Sequence, residues 1–282
     1  MGIYLENCSA FYVFAIRNAY KSNFRTSYSS SILVSYFDKK IHIELILVLY
    51  SSDLIIQSNV YFTPGGQKIT IDRTPYQANY GDVCGAVIIH AKWLLTSAHF
   101  NRERDFIRTG SKFRLKASKT NVKSHFVHPL YGRRHTFDYD VQLLELFREL
   151  HFGWKVGSIR ISHGVCGSDV SVSGWGYSKE KGDYNDILKQ VKIEIIPLEE
   201  CQKIQNSFYN NTLTNTMFCA GAEDGDACQG DSGGAAVSYG QLIGISSFGY
   251  GCGRNTPGVY INVSHTNIRL WIRRFTGIYI IN

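Results

Sequence analysis

Three residue types that can jointly make a nucleophile stand far apart in the chain, each in a distinctive setting. Ser232 lies in Gly230-Asp231-Ser232-Gly233-Gly234. Glycines on both sides let the backbone turn tightly and bring bare N–H groups close to a substrate carbonyl. Such a loop can aim the Ser232 hydroxyl outward and form an oxyanion hole from the Gly230 and Ser232 amides. His99 ends the run Trp93-Leu94-Leu95-Thr96-Ser97-Ala98-His99, where small residues leave room for an imidazole beside another side chain. Asp140 opens the apolar run 140–146, which should enter a core and bury the carboxylate. A serine needs a base to become a nucleophile, and the base needs a partner that fixes its tautomer and orientation. The chain supplies all three in the order His, Asp, Ser.

Further motifs surround these residues: Thr74-Pro75-Tyr76-Gln77, Cys84-Gly85, Ser173-Gly174-Trp175-Gly176, the stretch 226–234 and Pro257-Gly258-Val259-Tyr260. Together they span about Gly65 to Trp271, and on them the chain resembles the trypsin-like serine proteases of the chymotrypsin fold. The resemblance implies Ser232 as nucleophile, His99 as general base and acid, Asp140 as orienting carboxylate and Ser247 beside it. It also implies protein or peptide substrates, serine protease inhibitors as partners, and no cofactor or metal. Asp226, six positions before Ser232, matches the floor of the primary specificity pocket. A carboxylate there favours a long cationic side chain, because a neutral one leaves the charge unpaired. Gly249 and Gly258 match walls where a side chain would block arginine or lysine. Ala227 replaces a frequent serine, which removes a hydroxyl that helps hold an ammonium and tilts the expectation towards Arg over Lys. Phe248 stands where a tryptophan usually lines the cleft, and Ala235 where a proline usually follows the two glycines.

The elements that must position these groups read as all-β. The chain has 282 residues, 44% hydrophobic and only 19% charged, enough to bury a sizeable core. Short runs rich in Val, Ile, Tyr and Phe at 83–90, 170–173, 191–196, 242–248 and 259–263 are punctuated by Gly, Asn and Ser. No αβ alternation and no phosphate-binding glycine loop is present. Ile268, Trp271, Ile272 and Phe275 fall at spacings of three and four, predicting an amphipathic helix over 264–275. With the resemblance, the expected fold is two packed six-stranded antiparallel β-barrels and a C-terminal helix.

By resemblance, Cys201 pairs with Cys219 and Cys228 with Cys252, which implies an oxidising, secretory setting. Cys84 matches a half-cystine whose partner normally follows the histidine, but that position is Phe100. Cys8 and Cys166 have no family counterpart, and a link between them would tether the leader to the protease body. With seven cysteines at least one thiol is free. No CxxC pair or histidine cluster suggests metal.

The front departs from the family. Cleavage there normally frees an Ile-Val-Gly-Gly terminus whose ammonium pairs with the carboxylate beside the serine, here Asp231. Gly65-Gly66 match, yet Phe62-Thr63-Pro64 precede them with no Arg or Lys at the cleavage position. Residues 1–62 form a poor signal peptide and too short a membrane span, with Glu44 and Asp53 inside the apolar stretch 41–56. They are read as an atypical leader, either a mistaken start or a genuinely divergent pro-segment, ahead of a protease domain over 63–282.

The formal charge is +7. Arg102, Arg104, Arg108, Lys112, Arg114, Lys116, Lys119, Lys123, Arg133 and Arg134 far outnumber Glu103 and Asp105. This 102–134 region is either a polyanion-binding face or a set of solvated edges. No nucleic-acid motif accompanies it. Two function classes follow: a secreted, monomeric endopeptidase cutting after Arg or Lys, and a catalytically silent homologue that binds a partner because its activation junction is degenerate. The intact triad and pocket favour the first.

Overall fold

The computed structural model describes residues 66–100, 104–177, 183–204, 209, 212–221, 231–249 and 256–278. Strand β1 (Gln67–Lys68) precedes six strands, β2 (Gln77–Tyr80), β3 (Cys84–His90), β4 (Trp93–Thr96), β5 (Phe106–Thr109), β6 (Ser118–Val127) and β7 (Gln142–Leu146). These six close an antiparallel barrel in the order β2-β3-β4-β7-β6-β5. The next six are β8 (Asp169–Gly174), β9 (Lys189–Ile196), β10 (Met217–Gly221), β11 (Ala235–Ser238), β12 (Gln241–Phe248) and β13 (Gly258–Asn262). They run β9-β10-β13-β12-β11-β8, and pairing of β8 with β9 closes the second barrel, with β1 added outside β9. This is the two-barrel fold expected from the sequence.

Alternation along each strand explains why the runs are apolar on both faces. In β3, Cys84, Ala86 and Ile88 fill the first barrel with Tyr80, Leu94, Ile107, Leu144 and Leu146. Val87 and Ile89 point the other way, into a cluster shared with the second barrel and the C-terminal helix. In the second barrel Phe218, Ala220 and Tyr260 face its interior. Their neighbours Met217, Cys219, Val259 and Ile261 join the shared cluster. One apolar layer therefore joins the two barrels and the C-terminal helix.

Helix α1 (Leu198–Cys201) is tied to β10 by the Cys201–Cys219 disulfide, with Cα atoms 6.3 Å apart. Helix α2 (Thr266–Thr276) buries Ile268, Trp271 and Ile272, and Gly277 ends it at φ 68°, a left-handed position suited to glycine. It begins two residues later than the sequence predicts, because the Ser264 amide and hydroxyl both bond to the Asn262 side-chain oxygen and hold a turn there. Among the described residues Cys84 is a buried free thiol, and burial pushes its pKa up to about 12. Cys166 is disulfide-bonded, while Cys8, Cys228 and Cys252 lie outside the described residues. No described helix is long and apolar enough to cross a membrane.

Candidate active site

His99 sits in a short 3-10 turn (Ala98–Phe100) at the end of β4, and Asp140 precedes β7, the strand paired with β4. That pairing brings the two together. Asp140 is fully buried, so its carboxylate must be satisfied by donors. The His99 backbone N–H donates to Oδ1 at 2.7 Å, and His99 Nδ1 lies 2.7 Å from Oδ2. Ser247 Oγ donates to Oδ2 at 2.5 Å, reaching across from the second barrel. A carboxylate holding Nδ1–H leaves Nε2 as the acceptor, the tautomer a general base needs.

Ser232 is held against the same wall by its backbone. The Gly85 amide donates to the Ser232 carbonyl at 2.9 Å, and the Gly233 amide donates to the Ser246 carbonyl at 2.7 Å. Gly233 has φ +80°, and a Cβ there would lie 2.2 Å from Thr96 Oγ1 and 2.3 Å from the Gly85 carbonyl oxygen. Only glycine allows that approach. Thr96 is three residues before His99, and its hydroxyl donates to the Gly85 carbonyl at 2.7 Å. Ser97 Oγ donates to the Ser246 carbonyl at 2.8 Å. The amides of Gly233 and Gly234 are occupied, whereas that of Ser232 has no backbone acceptor among the described residues. Ser232 Oγ makes no hydrogen bond to His99 in this structure.

The other expected residues divide into two groups. Phe248 stacks on Phe137 at 4.5 Å between ring centroids, and Phe137 meets His99 edge-on at 5.9 Å, so an aromatic wall adjoins the imidazole. Gly249 and Gly258 face each other, a Cβ on the former lying 3.6 Å from the Cα of the latter. Asp231 turns its carboxylate into a cradle of two glycines. The Gly176 amide donates to its Oδ1 at 2.8 Å, and a Cβ on Gly174 would sit 1.9 Å from that oxygen. Asp226, Ala227, Cys228, Gly230 and Cys252 lie outside the described residues.

The half-cystine site shows what replaces a bridge. Cys84 is unpaired, and the Phe100 ring packs against the first-barrel cluster and against His99, with ring centroids 4.1 Å apart. Sequence reasoning missed three contributors: Phe137, the hydroxyls of Thr96 and Ser97, and the glycines that admit Asp231. A run of Gly-Trp-Gly marks the last of these, but only the fold reveals that both glycines face one carboxylate.

The sequence model of the family described as Trypsin matches residues 63–272. The chain belongs to the trypsin family. It is 35% identical over 218 residues to "Trypsin" of Simulium vittatum, covering 70% of this chain and 86% of that one. It is 35% identical over 222 residues to "Trypsin-3" of Salmo salar, covering 74% and 90%. Among solved structures it resembles neuropsin, a serine protease expressed in the limbic system of mouse brain. The TM-score is 0.67 at 28% identity, with 74% of this chain and 97% of that one covered. As a trypsin-family member the chain is a serine endopeptidase, and protein substrates and protease inhibitors are the partners the family implies.

Proposed function

We propose that the chain is a secreted endopeptidase that hydrolyses peptide bonds after arginine, and less readily after lysine, through Ser232, His99 and Asp140. The observation that carries this reading is the buried Asp140 carboxylate, with the His99 amide, the His99 ring and Ser247 all converging on it. The Ser232 hydroxyl gives its proton to His99 Nε2 as Oγ bonds to the carbonyl carbon. The oxyanion that forms meets the Ser232 and Gly230 amides. The leaving amine takes the proton from Nε2, and water then repeats the sequence in reverse to release the acid. The hydrogen bond between Ser232 and His99 closes when substrate fills the cleft, as catalytic contacts commonly tighten on binding.

Selectivity is assigned to Asp226 at the pocket floor, with Ala227 tilting it towards guanidinium, Gly249 and Gly258 keeping the slot open, and Phe248 with Ser247 lining it. Asp231 is the acceptor for a new N-terminal ammonium, and the glycine cradle that holds its carboxylate supports that role. The protease domain spans 63–282, with residues 1–62 as an atypical leader or a mistaken start ahead of it. Secretion is supported by the Cys201–Cys219 disulfide. In the basic 102–134 region several cations are engaged within the chain, which supports a solvated face over a polyanion-binding one. Arg108 is held by Asp82 at 2.6 Å and Lys123 by Glu145 at 2.9 Å, and Lys119 Nζ lies 3.9 Å from the centre of the Phe106 ring.

The test is turnover of Arg- and Lys-amide peptides by protein beginning at a restored Ile-Val-Gly-Gly terminus, with Ser232→Ala as control. Hydrolysis after Arg that disappears in the control is expected. Cleavage favouring Lys would overturn the pocket assignment, and no turnover by well-folded protein would leave a silent homologue.

A further inference from the structure

Asp140 follows a residue in an unusual state. Tyr139 has φ +53°, one of three non-glycine residues at positive φ among those described. Large side chains avoid that region because Cβ crowds the backbone, and it persists only where surrounding contacts over-determine it. Here the contacts can be named. The Tyr139 ring lies flat on His128, with centroids 4.5 Å apart and planes 8° from parallel. Its hydroxyl accepts a hydrogen bond from Asn267 Nδ2 at 3.0 Å, and His265 meets the ring edge-on at 6.0 Å. Trp271 in turn packs edge-on against His128 at 4.9 Å. Asn267 and Trp271 lie on α2, and His265 precedes its first turn.

The residues on either side are tied to different elements. Asp138, also buried, accepts hydrogen bonds at 2.8 Å from the hydroxyls of Thr214 and Thr216, just ahead of β10. Asp140 is satisfied by His99 and Ser247. The Val141 amide donates to the Tyr139 carbonyl at 2.7 Å, which closes a tight turn centred on Asp140. The backbone torsion of Tyr139 therefore sets the direction in which the Asp140 side chain leaves the chain. That torsion is held by a helix near the other end of the sequence.

We propose that Tyr139 is a positioning residue for Asp140, locked by the His128 stack and the Asn267 hydrogen bond of α2 in the conformation that turns the carboxylate towards His99. Docking of the C-terminal helix thereby orients the His99–Asp140 pair. The inference rests on the reading of that pair as catalytic, and its test has a readout independent of turnover.

The experiment uses the full chain with histidine labelled in ¹⁵N and follows the Nδ1–H proton that His99 shares with Asp140, assigned by its loss in His99→Ala. Tyr139→Phe keeps the His128 stack but loses the Asn267 hydrogen bond, so it shifts the resonance partway. Tyr139→Ala loses the downfield resonance, and Asn267→Ala, a milder variant that keeps the fold, shifts it partway. On activated protein, kcat per titrated site falls about tenfold or more in Tyr139→Ala with KM within about twofold, since a small misplacement of a catalytic group costs rate rather than binding. A merely structural role would lower the melting temperature or the titrated fraction and leave kcat per site unchanged. The proposal is overturned if folded Tyr139→Ala or Asn267→Ala keeps both the resonance and kcat per site of the parent. If the parent itself has no turnover, the catalytic reading fails, while the resonance comparison still decides whether α2 positions Asp140.

Discussion

The loop that carries His99 and the loop that carries Ser232 are secured by different physics. Around His99 the family's bridge is gone, and an aromatic ring at Phe100 fills the space between imidazole and barrel. Around Ser232 the hold is backbone on backbone, with glycines packed where any Cβ would collide. Side-chain packing can be exchanged for other packing of similar volume, and Phe100 packs at the position where the family's bridge partner stands. Backbone approach admits no such substitute. At Phe100 the family's bridge to Cys84 is lost, while around the serine Ala227, Ala235 and Phe248 depart from the family but the glycines at 85, 233 and 234 remain.

The largest effect expected from breaking the contrast comes from the serine side. A Cβ on Gly85 would lie 2.5 Å from the Gly234 amide nitrogen, and Gly233→Ala adds a left-handed conformation to a clash with Thr96. Gly85→Ala should cost about 1–3 kcal/mol by overpacking, and Gly233→Ala about 2–5 kcal/mol by overpacking plus the strain of a positive φ, each measured as a fall in the denaturation midpoint together with lost Ser232 reactivity.

Next is pH. Burial holds His128 down to about 4, and a hydrogen bond to the Asn267 backbone and the nearby Asp138 carboxylate only partly oppose it, while His265 adds to the depression. The ring nitrogen Nδ1 accepts the Leu130 amide at 3.3 Å, so protonation there competes with a backbone donor. The unfolded imidazole takes its proton near pH 6.5 and the folded one near 4. Stability is therefore full above about 6.5 and falls as pH drops towards 4, by roughly 3 kcal/mol in all. His265 is also depressed by burial and acts in the same direction. Thermal melts between pH 7 and 4 check this, and His128→Leu should flatten much of the slope.

The apolar run at 140–146, the alternating strands and the helix at the end were readable because burial requires periodicity. His99, Asp140 and Ser232 were readable because each sits in a motif whose chemistry is local. The torsion of Tyr139 was not, because nothing in a tyrosine announces a left-handed backbone, and the contacts that enforce it come from residues 128 and 265–271. His128 reads as an ordinary core histidine until its stack is seen. The role of Gly174 and Gly176 was hidden for the same reason, since it depends on a carboxylate 55 positions further along.

Smaller effects sharpen the histidine side. Ser247→Ala removes one of three donors to a buried carboxylate and should cost about 1–3 kcal/mol, read as a lower melting temperature in folded protein. Smallest is Phe100→Cys. A bridge to Cys84 across this loop contributes about 3 kcal/mol but forfeits the partly buried Phe100 ring, worth about 1.5 kcal/mol. The net gain should be at most about 1.5 kcal/mol, visible as a melting temperature that rises under oxidising conditions and falls on adding reductant.

The convergence of three distant residues in one groove is tested most directly by covalent labelling. Protein with a restored Ile-Val-Gly-Gly terminus is treated with a fluorophosphonate, and the adduct is located by peptide mass. A single adduct on Ser232 is expected, abolished by His99→Ala and strongly slowed by Asp140→Asn. Labelling of Ser232 at an undiminished rate in both variants, or none in folded parent protein, would contradict the account.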